Sequence, residues 1–251
     1  MKLILRKRSN TGAQWFLFAV VVLAITPAVA QFPDKFKNLQ VLPKDISKDD
    51  LQSTMRGFAF ALNVTCPYCH VQKADMKMDF PADDKDTKKT ARVMLQMVAA
   101  INRDYVSKIG KPSPVQVQCI TCHHGLTQPR TINTVLAETL EKKGIEETIK
   151  QYHDLRGKYY GTGEYNFGEV PLNQLTESLL AKDKYKEAAA IMEMNFAANN
   201  PTSVYSYHML AMSHQANGEI EKAKADYSKV FALHPEDTWA KQQLDSLSST
   251  K

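Results

Sequence analysis

Leu51, Met55, Phe58 and Leu62 recur at spacings of four, three and four, which places them on one face of a helix. Ser47-Lys48-Asp49-Asp50 ahead of them resembles a capping box, with Asp50 well placed in the first turn. The helix is predicted to end near Asn63, and Val64-Thr65 then lead straight into Cys66. A second helix is predicted from about Thr87 to Ile109, with an apolar stripe of Met94, Met97, Val98, Ile101 and Tyr105. Gly110 and Pro112 supply its stop, and Pro114 opens an extended Val115-Gln116-Val117-Gln118 that runs into Cys119. Each helix carries Met on its apolar face, and each is followed by a cysteine motif.

Thr134 to Tyr152 is also helical in pattern, broken by Gly144, whereas Gly157 to Val170 is rich in Gly and Tyr and is expected to be a linker or packed loop. Beyond it the pattern repeats. Pro201 and Pro235 lie 34 residues apart, as do Lys184 and Gly218, Ala189 and Ala223, and Phe196 and Val230. That period, with small residues where helices cross and Pro after the second helix, resembles tetratricopeptide repeats. The second copy is the better one, with Tyr207, Leu210, Ala211, Gly218, Ala223, Tyr227 and Pro235 at the expected places. About three repeats are needed for stability, so the hairpin around Gly144 is a candidate degenerate unit.

The cysteines carry the chemistry. All four fall in two pentapeptides, Cys66-Pro67-Tyr68-Cys69-His70 and Cys119-Ile120-Thr121-Cys122-His123. C-x-x-C-H is the attachment signature of a c-type haem: two thiols add to the vinyl groups and the His takes the iron. The expected cofactors are therefore two covalently bound haems, held by Cys66, Cys69, Cys119 and Cys122, with His70 and His123 as proximal ligands. Disulfides are a weaker reading. So is zinc, because 49 residues separate Cys69 from Cys119, against roughly 15–20 in the common four-cysteine site.

An electron carrier closes the iron's sixth position, and a Met thioether there raises the potential. Met55 lies 15 residues before His70 on an apolar face, where it serves equally as a core residue. On the second helix Met97 is preferred to Met94, which is the fallback; Met76 and Met78 sit in a charged segment and are weaker candidates. His124 follows His123 and is the other fallback ligand, against a plain surface role. His153, His208, His214 and His234 are read as structural.

Lys2, Arg6, Lys7 and Arg8 precede an apolar run from Trp15 to Ile25 and then Ala28-Val29-Ala30. This has the form of a secretory signal over residues 1–30, with an uncleaved anchor as the alternative. Export to the periplasm suits haem attachment. Without that segment the formal charge falls from +5 to +1. Residues 31–133 carry 15 cationic against 10 anionic side chains, and residues 134–251 carry 13 against 17. Either these are two ordinary solvated surfaces, or the basic face near a haem steers an acidic redox partner. No nucleic-acid partner is expected.

The segment from Asn38-Leu39-Gln40 through LQSTMRGFAFALNVTCPYCHV, the Met-rich helix and VQCITCHHG resembles the cytochrome c subunit of photosynthetic reaction centres. The resemblance covers about residues 33–133. It implies helix–turn–C-x-x-C-H units in which a Met on the preceding helix is the distal ligand, hence Met55 with His70 and Met97 with His123. The family typically carries four haems; this chain has two motifs and a different C-terminal half.

The fold expected is mainly α: a small dihaem c-type cytochrome domain and an α-helical tetratricopeptide-like repeat domain. The divisions are residues 1–30 (signal), 31–133 (dihaem domain), 134–170 (helical connector and Gly/Tyr-rich linker) and 171–251 (repeats). The function expected is single-electron transfer between redox partner proteins, such as a membrane-bound reaction centre or a respiratory complex, with a protein or peptide docking on the repeats. It is not expected to be an enzyme. The alternatives are a dihaem peroxidase, which needs one open iron, and a scaffold or assembly factor with structural haems.

Overall fold

The computed structural model describes residues 35–110 and 115–249; the predicted signal lies outside them. The chain is mainly α-helical. Helix α1 spans Lys48–Leu62, opened by the Ser47 hydroxyl accepting from the Asp50 amide at 3.1 Å and closed by Asn63 in the left-handed region at φ 52°. A short antiparallel hairpin, β1 (Val71–Gln72) with β2 (Met78–Asp79), follows the first cysteine motif. No period-two pattern long enough to reveal it exists in four paired residues.

Helix α2 covers Asp86–Ala100, then loosens into a π turn at Ile101–Tyr105 and tightens into a 3₁₀ turn at Val106–Lys108. The predicted stripe is therefore continuous in trace but not in geometry. Its burial also differs from expectation: Met94, Met97 and Tyr105 are 39%, 46% and 70% exposed. Among the described residues no side chain of α2 is fully buried. Helix α3 (Cys119–His123) is the second motif itself.

The C-terminal half stacks hairpins: α4 (Ile132–Lys143) with α5 (Ile145–Tyr159), α6 (Glu169–Leu180) with α7 (Tyr185–Asn199), and α8 (Val204–Ala216) with α9 (Ile220–Leu233), closed by α10 (Thr238–Ser249). Gly144, at φ 84°, makes the α4–α5 corner, a conformation that disfavours side chains. Fully buried Ala188, Ala211 and Ala223 allow close crossings between helices. The Gly/Tyr-rich loop is narrower than predicted, since α5 runs on to Tyr159 and α6 begins at Glu169. It is also packed: Phe167 is 4% exposed and joins one core with Leu136, Tyr152, Leu172 and Ile191. The hairpin around Gly144 thus shares its core with the next one.

A polar ladder crosses these hairpins. Arg156 donates to Asn199 (2.8 Å), Asn199 to Asn195 (2.9 Å), Asn195 to Asn173 (2.9 Å) and Asn173 to the Ser206 hydroxyl (2.7 Å). The Ser206 hydroxyl in turn donates to Glu169 at 3.0 Å. Buried amides demand such partners.

The two halves differ in how they are held together. Among the described residues before Ile132 the buried hydrophobics are Leu51, Ala61 and Val106; the rest of the buried core lies from Ile132 onward. Among the described residues no helix is long and apolar enough to cross a membrane.

Candidate haem sites

The first motif leaves α1 through extended Thr65 and folds as a 3₁₀ turn at Cys66–Tyr68, with Pro67 early in the turn. The His70 amide closes it on the Cys66 carbonyl at 3.0 Å. The start of α2 then clamps it from outside. Lys85 donates to the Pro67 carbonyl and Thr87 donates to the Tyr68 carbonyl at 2.6 Å. The Lys88 ammonium gathers the carbonyls of Phe80, Pro81 and Ala82 at 2.8, 3.0 and 2.8 Å. One of those carbonyls, that of Phe80, lies 3.1 Å from His70 Nδ1, and the Phe80 ring stands edge-on to the imidazole.

The second motif is anchored by the far end of the same helix system. Asn102, in the π turn, donates to the Val117 carbonyl and accepts from the Val117 amide, both at 2.8 Å. The Thr121 hydroxyl accepts from the Gln118 amide at 3.0 Å, capping α3. His124 (φ 48°) and Gly125 (φ 87°) then reverse the chain. The Gly125 amide docks on the Ala61 carbonyl of α1 at 2.9 Å. The turn brings the Leu126 carbonyl to 2.7 Å from His123 Nδ1.

The two histidines therefore share one arrangement. A carbonyl only accepts, so Nδ1 is the donor in both rings, and in the neutral form of each Nε2 is the nitrogen with the lone pair. That is the tautomer a metal-ligating imidazole needs, with its orientation fixed by the outer bond. Burial pushes the His70 pKa below its ordinary value, and Lys88, Lys85 and Arg92 push the same way against the Phe80 carbonyl. The ring is thus neutral near pH 7.

All four cysteines are free thiols. Cys66 and Cys122 are exposed, Cys69 and Cys119 half-buried, and burial raises the pKa of both Cys69 and Cys119. In the same half Phe60, Tyr68, Met94 and Met97 present apolar surface to the outside, Phe60 in a cleft it shares with Ile120 of the second motif. A half with so few buried side chains and so much exposed apolar surface has the character of a cradle for a large apolar group. Donor set and surface both fit haem.

Met55 is half-buried on α1, and Met97 and Met94 are on α2, ahead of their respective motifs. Met76 is 73% exposed at the hairpin turn, and His124 is exposed. Sequence reasoning missed the groups that hold the histidines. Phe80 and Leu126 act through backbone carbonyls, which leave no residue signature; only Gly125 hinted at the second turn. In the C-terminal half His208 bonds Asp237 and His214 bonds Asp226, each at 2.6 Å, and Lys222 bridges Glu193 and Glu219 beside His214.

The family model for the photosynthetic reaction centre cytochrome C subunit matches residues 19–194. The chain belongs to this family. It is 27% identical over 171 residues to the photosynthetic reaction center cytochrome c subunit of Thermochromatium tepidum, covering 67% of this chain and 37% of that one. The Roseobacter denitrificans subunit is 33% identical over 101 residues, covering 39% and 26%. The chain thus spans about a quarter to under two-fifths of the length of these relatives. Family membership implies covalently held haem. Two solved structures overlap 47% of this chain and 87% of their own: the first TPR of Spaghetti (RPAP3) bound to an HSP90 peptide, and the first TPR domain of human RPAP3. The TM-scores are 0.33 and 0.32, each at 18% identity.

Proposed function

We propose that this chain is an exported dihaem c-type cytochrome that passes single electrons between redox proteins. The observation that carries the reading is the matched pair of outer bonds, His70 Nδ1 to the Phe80 carbonyl and His123 Nδ1 to the Leu126 carbonyl. Each frees Nε2 for a metal immediately after a C-x-x-C pair. Cys66 and Cys69 hold one haem and Cys119 and Cys122 the other, with His70 and His123 as proximal ligands. When bound, each haem supplies a one-electron iron couple. Met55 and Met97 are the distal ligands, and their thioethers close the sites to oxygen and peroxide.

The dihaem domain is residues 31–133. Residues 134–170 join the repeats of 171–251 through a shared core, and the repeat half docks a partner protein or peptide. The electron partner is a membrane-bound reaction centre, as the relatives' names suggest, or a respiratory complex. The protein works on the periplasmic side, delivered by its N-terminal signal.

The test is expression with a haem-maturation system, followed by a pyridine haemochrome assay and intact mass. Two haems per chain are expected, and one in Cys119→Ala/Cys122→Ala; none, or an unchanged count in the variant, sinks the reading. Met97→Ala separates carrier from peroxidase. Loss of one low-spin ferric signal supports the closed carrier, and a high-spin signal already present in the unsubstituted protein favours the enzyme.

A further inference from the structure

Glu164 lies in the loop between α5 and α6, yet it reaches the turn that follows the second cysteine motif. A Cβ built on Gly125 would sit 3.1 Å from Glu164 Oε1 and 3.3 Å from its Cγ. Gly125 belongs to the turn, two residues past His123, whose Leu126 carbonyl holds His123 Nδ1. The contact sits in a cleft of about 370 Å³ between the end of α1, the second motif and this loop, lined by Phe60, Val64, Ile120, His124 and Glu164 among others. The other carboxylate oxygen, Oε2, is shut off from solvent and has no hydrogen-bond partner. Burying an unpartnered carboxylate oxygen is costly, and such exceptions concentrate where a charge is used.

The first site has the opposite surroundings. There the ammonium groups of Lys85 and Lys88 bond the carbonyls that hold the motif and its histidine. Both motifs carry the same donor set, but their outer charges differ: Asp83 at the first site is paired with Lys88 at 3.0 Å and Arg92 at 2.8 Å, whereas Glu164 Oε2 at the second has no partner.

We propose that Glu164 sets the reduction potential of the second haem, acting from the connector loop as a positioning residue rather than as a ligand. This rests on the dihaem reading above. A half-buried anion beside a haem favours the oxidised, more positive state and so lowers the potential. The cations at the first site act in the other direction. The two haems are thereby ordered, with the second the stronger reductant, and electrons run from the second motif to the first. The connector becomes part of the redox machinery: a partner that moves the 160–168 loop changes one haem and not the other.

The experiment is a spectroelectrochemical titration of the full chain with haem content measured first. Glu164→Gln is expected to raise one of the two potentials, changing the oxidised-to-reduced ratio at fixed applied potential by about three- to tenfold, tenfold being about 59 mV. Glu164→Asp, which keeps the charge, is expected to stay close to the unsubstituted protein. Lys88→Leu is expected to lower the other potential and so identify the two waves. Two haems with both potentials unmoved in Glu164→Gln, or equal shifts in the Gln and Asp variants, overturn this inference while leaving the dihaem reading intact. A chain that takes up no haem overturns both.

Discussion

Asn102 and Val117 clasp each other in both directions, amide to carbonyl and amide to carboxamide, at 2.8 Å each way. The pair ties the π turn at the end of α2 to the strand-like lead of the second motif, across a segment of 15 residues. Since α2 also begins by clamping the first motif, one helix spaces the two sites. Asn102→Ala removes both bonds and leaves two backbone groups to find water; a loss of about 1–3 kcal/mol is expected from denaturant unfolding. Asn102→Asp should be no better, because a carboxylate cannot donate to the Val117 carbonyl. Unchanged midpoints in both variants would remove the clasp from the account.

Lys88 is only 12% exposed along its side chain and serves three carbonyls besides Asp83. Lys88→Leu keeps the apolar stem and deletes the ammonium. About 2 kcal/mol of stability should go with it, as for hydrogen bonds to a charged group. The imidazole of His70 should then show faster ring reorientation by NMR while that of His123 does not. Equal loosening of both rings would contradict the separate anchoring of the two sites.

Gly125 holds φ 87°, and an added methyl would press on Glu164. Gly125→Ala is expected to cost about 1–2 kcal/mol from the backbone conformation alone. In the haem-loaded protein only the absorption features of the second haem should change. A silent substitution would show that the turn has room to relax.

The pH dependence of the repeat half follows from His214. Burial alone would lower its pKa, but the carboxylate of Asp226, helped by Glu193 and Glu219, outweighs burial and leaves it above the ordinary value of 6.5. A pKa raised by folding stabilises the native state below the unfolded value and ceases to do so as pH climbs through the folded one. Thermal stability should therefore fall as pH rises past about 6.5. His214→Gln should flatten that dependence; a slope that persists unchanged in the variant assigns it to another group.

Much of this was readable from the chain. Helix α1 begins at the predicted Ser47 cap and ends at the predicted Asn63, because capping chemistry is local. The repeats announced themselves by period, although α7 and α9 begin at Tyr185 and Ile220, one residue off the 34-residue register of Pro201 and Pro235. The stripe on α2 is exposed at Met94, Met97 and Tyr105, since periodicity says which residues share a face and not whether anything covers it. Phe80, Leu126 and Glu164 were invisible for a different reason. Their roles depend on backbone carbonyls and on a contact between distant segments, neither of which leaves a pattern in sequence.

The polar ladder from Arg156 to Ser206 gives each hairpin an address. Aligned on their starts at Glu169 and Val204, and at Tyr185 and Ile220, α8 and α9 carry His208 and Val230 where α6 and α7 carry Asn173 and Asn195. A second copy of α8–α9 spliced in place of α6–α7 would thus set a valine where an amide must pass the ladder on, leaving Arg156 without Asn199 and Ser206 without Asn173. Whole-hairpin duplication, the usual way such arrays lengthen and shorten, is closed to this stretch of the chain unless the amides travel with it.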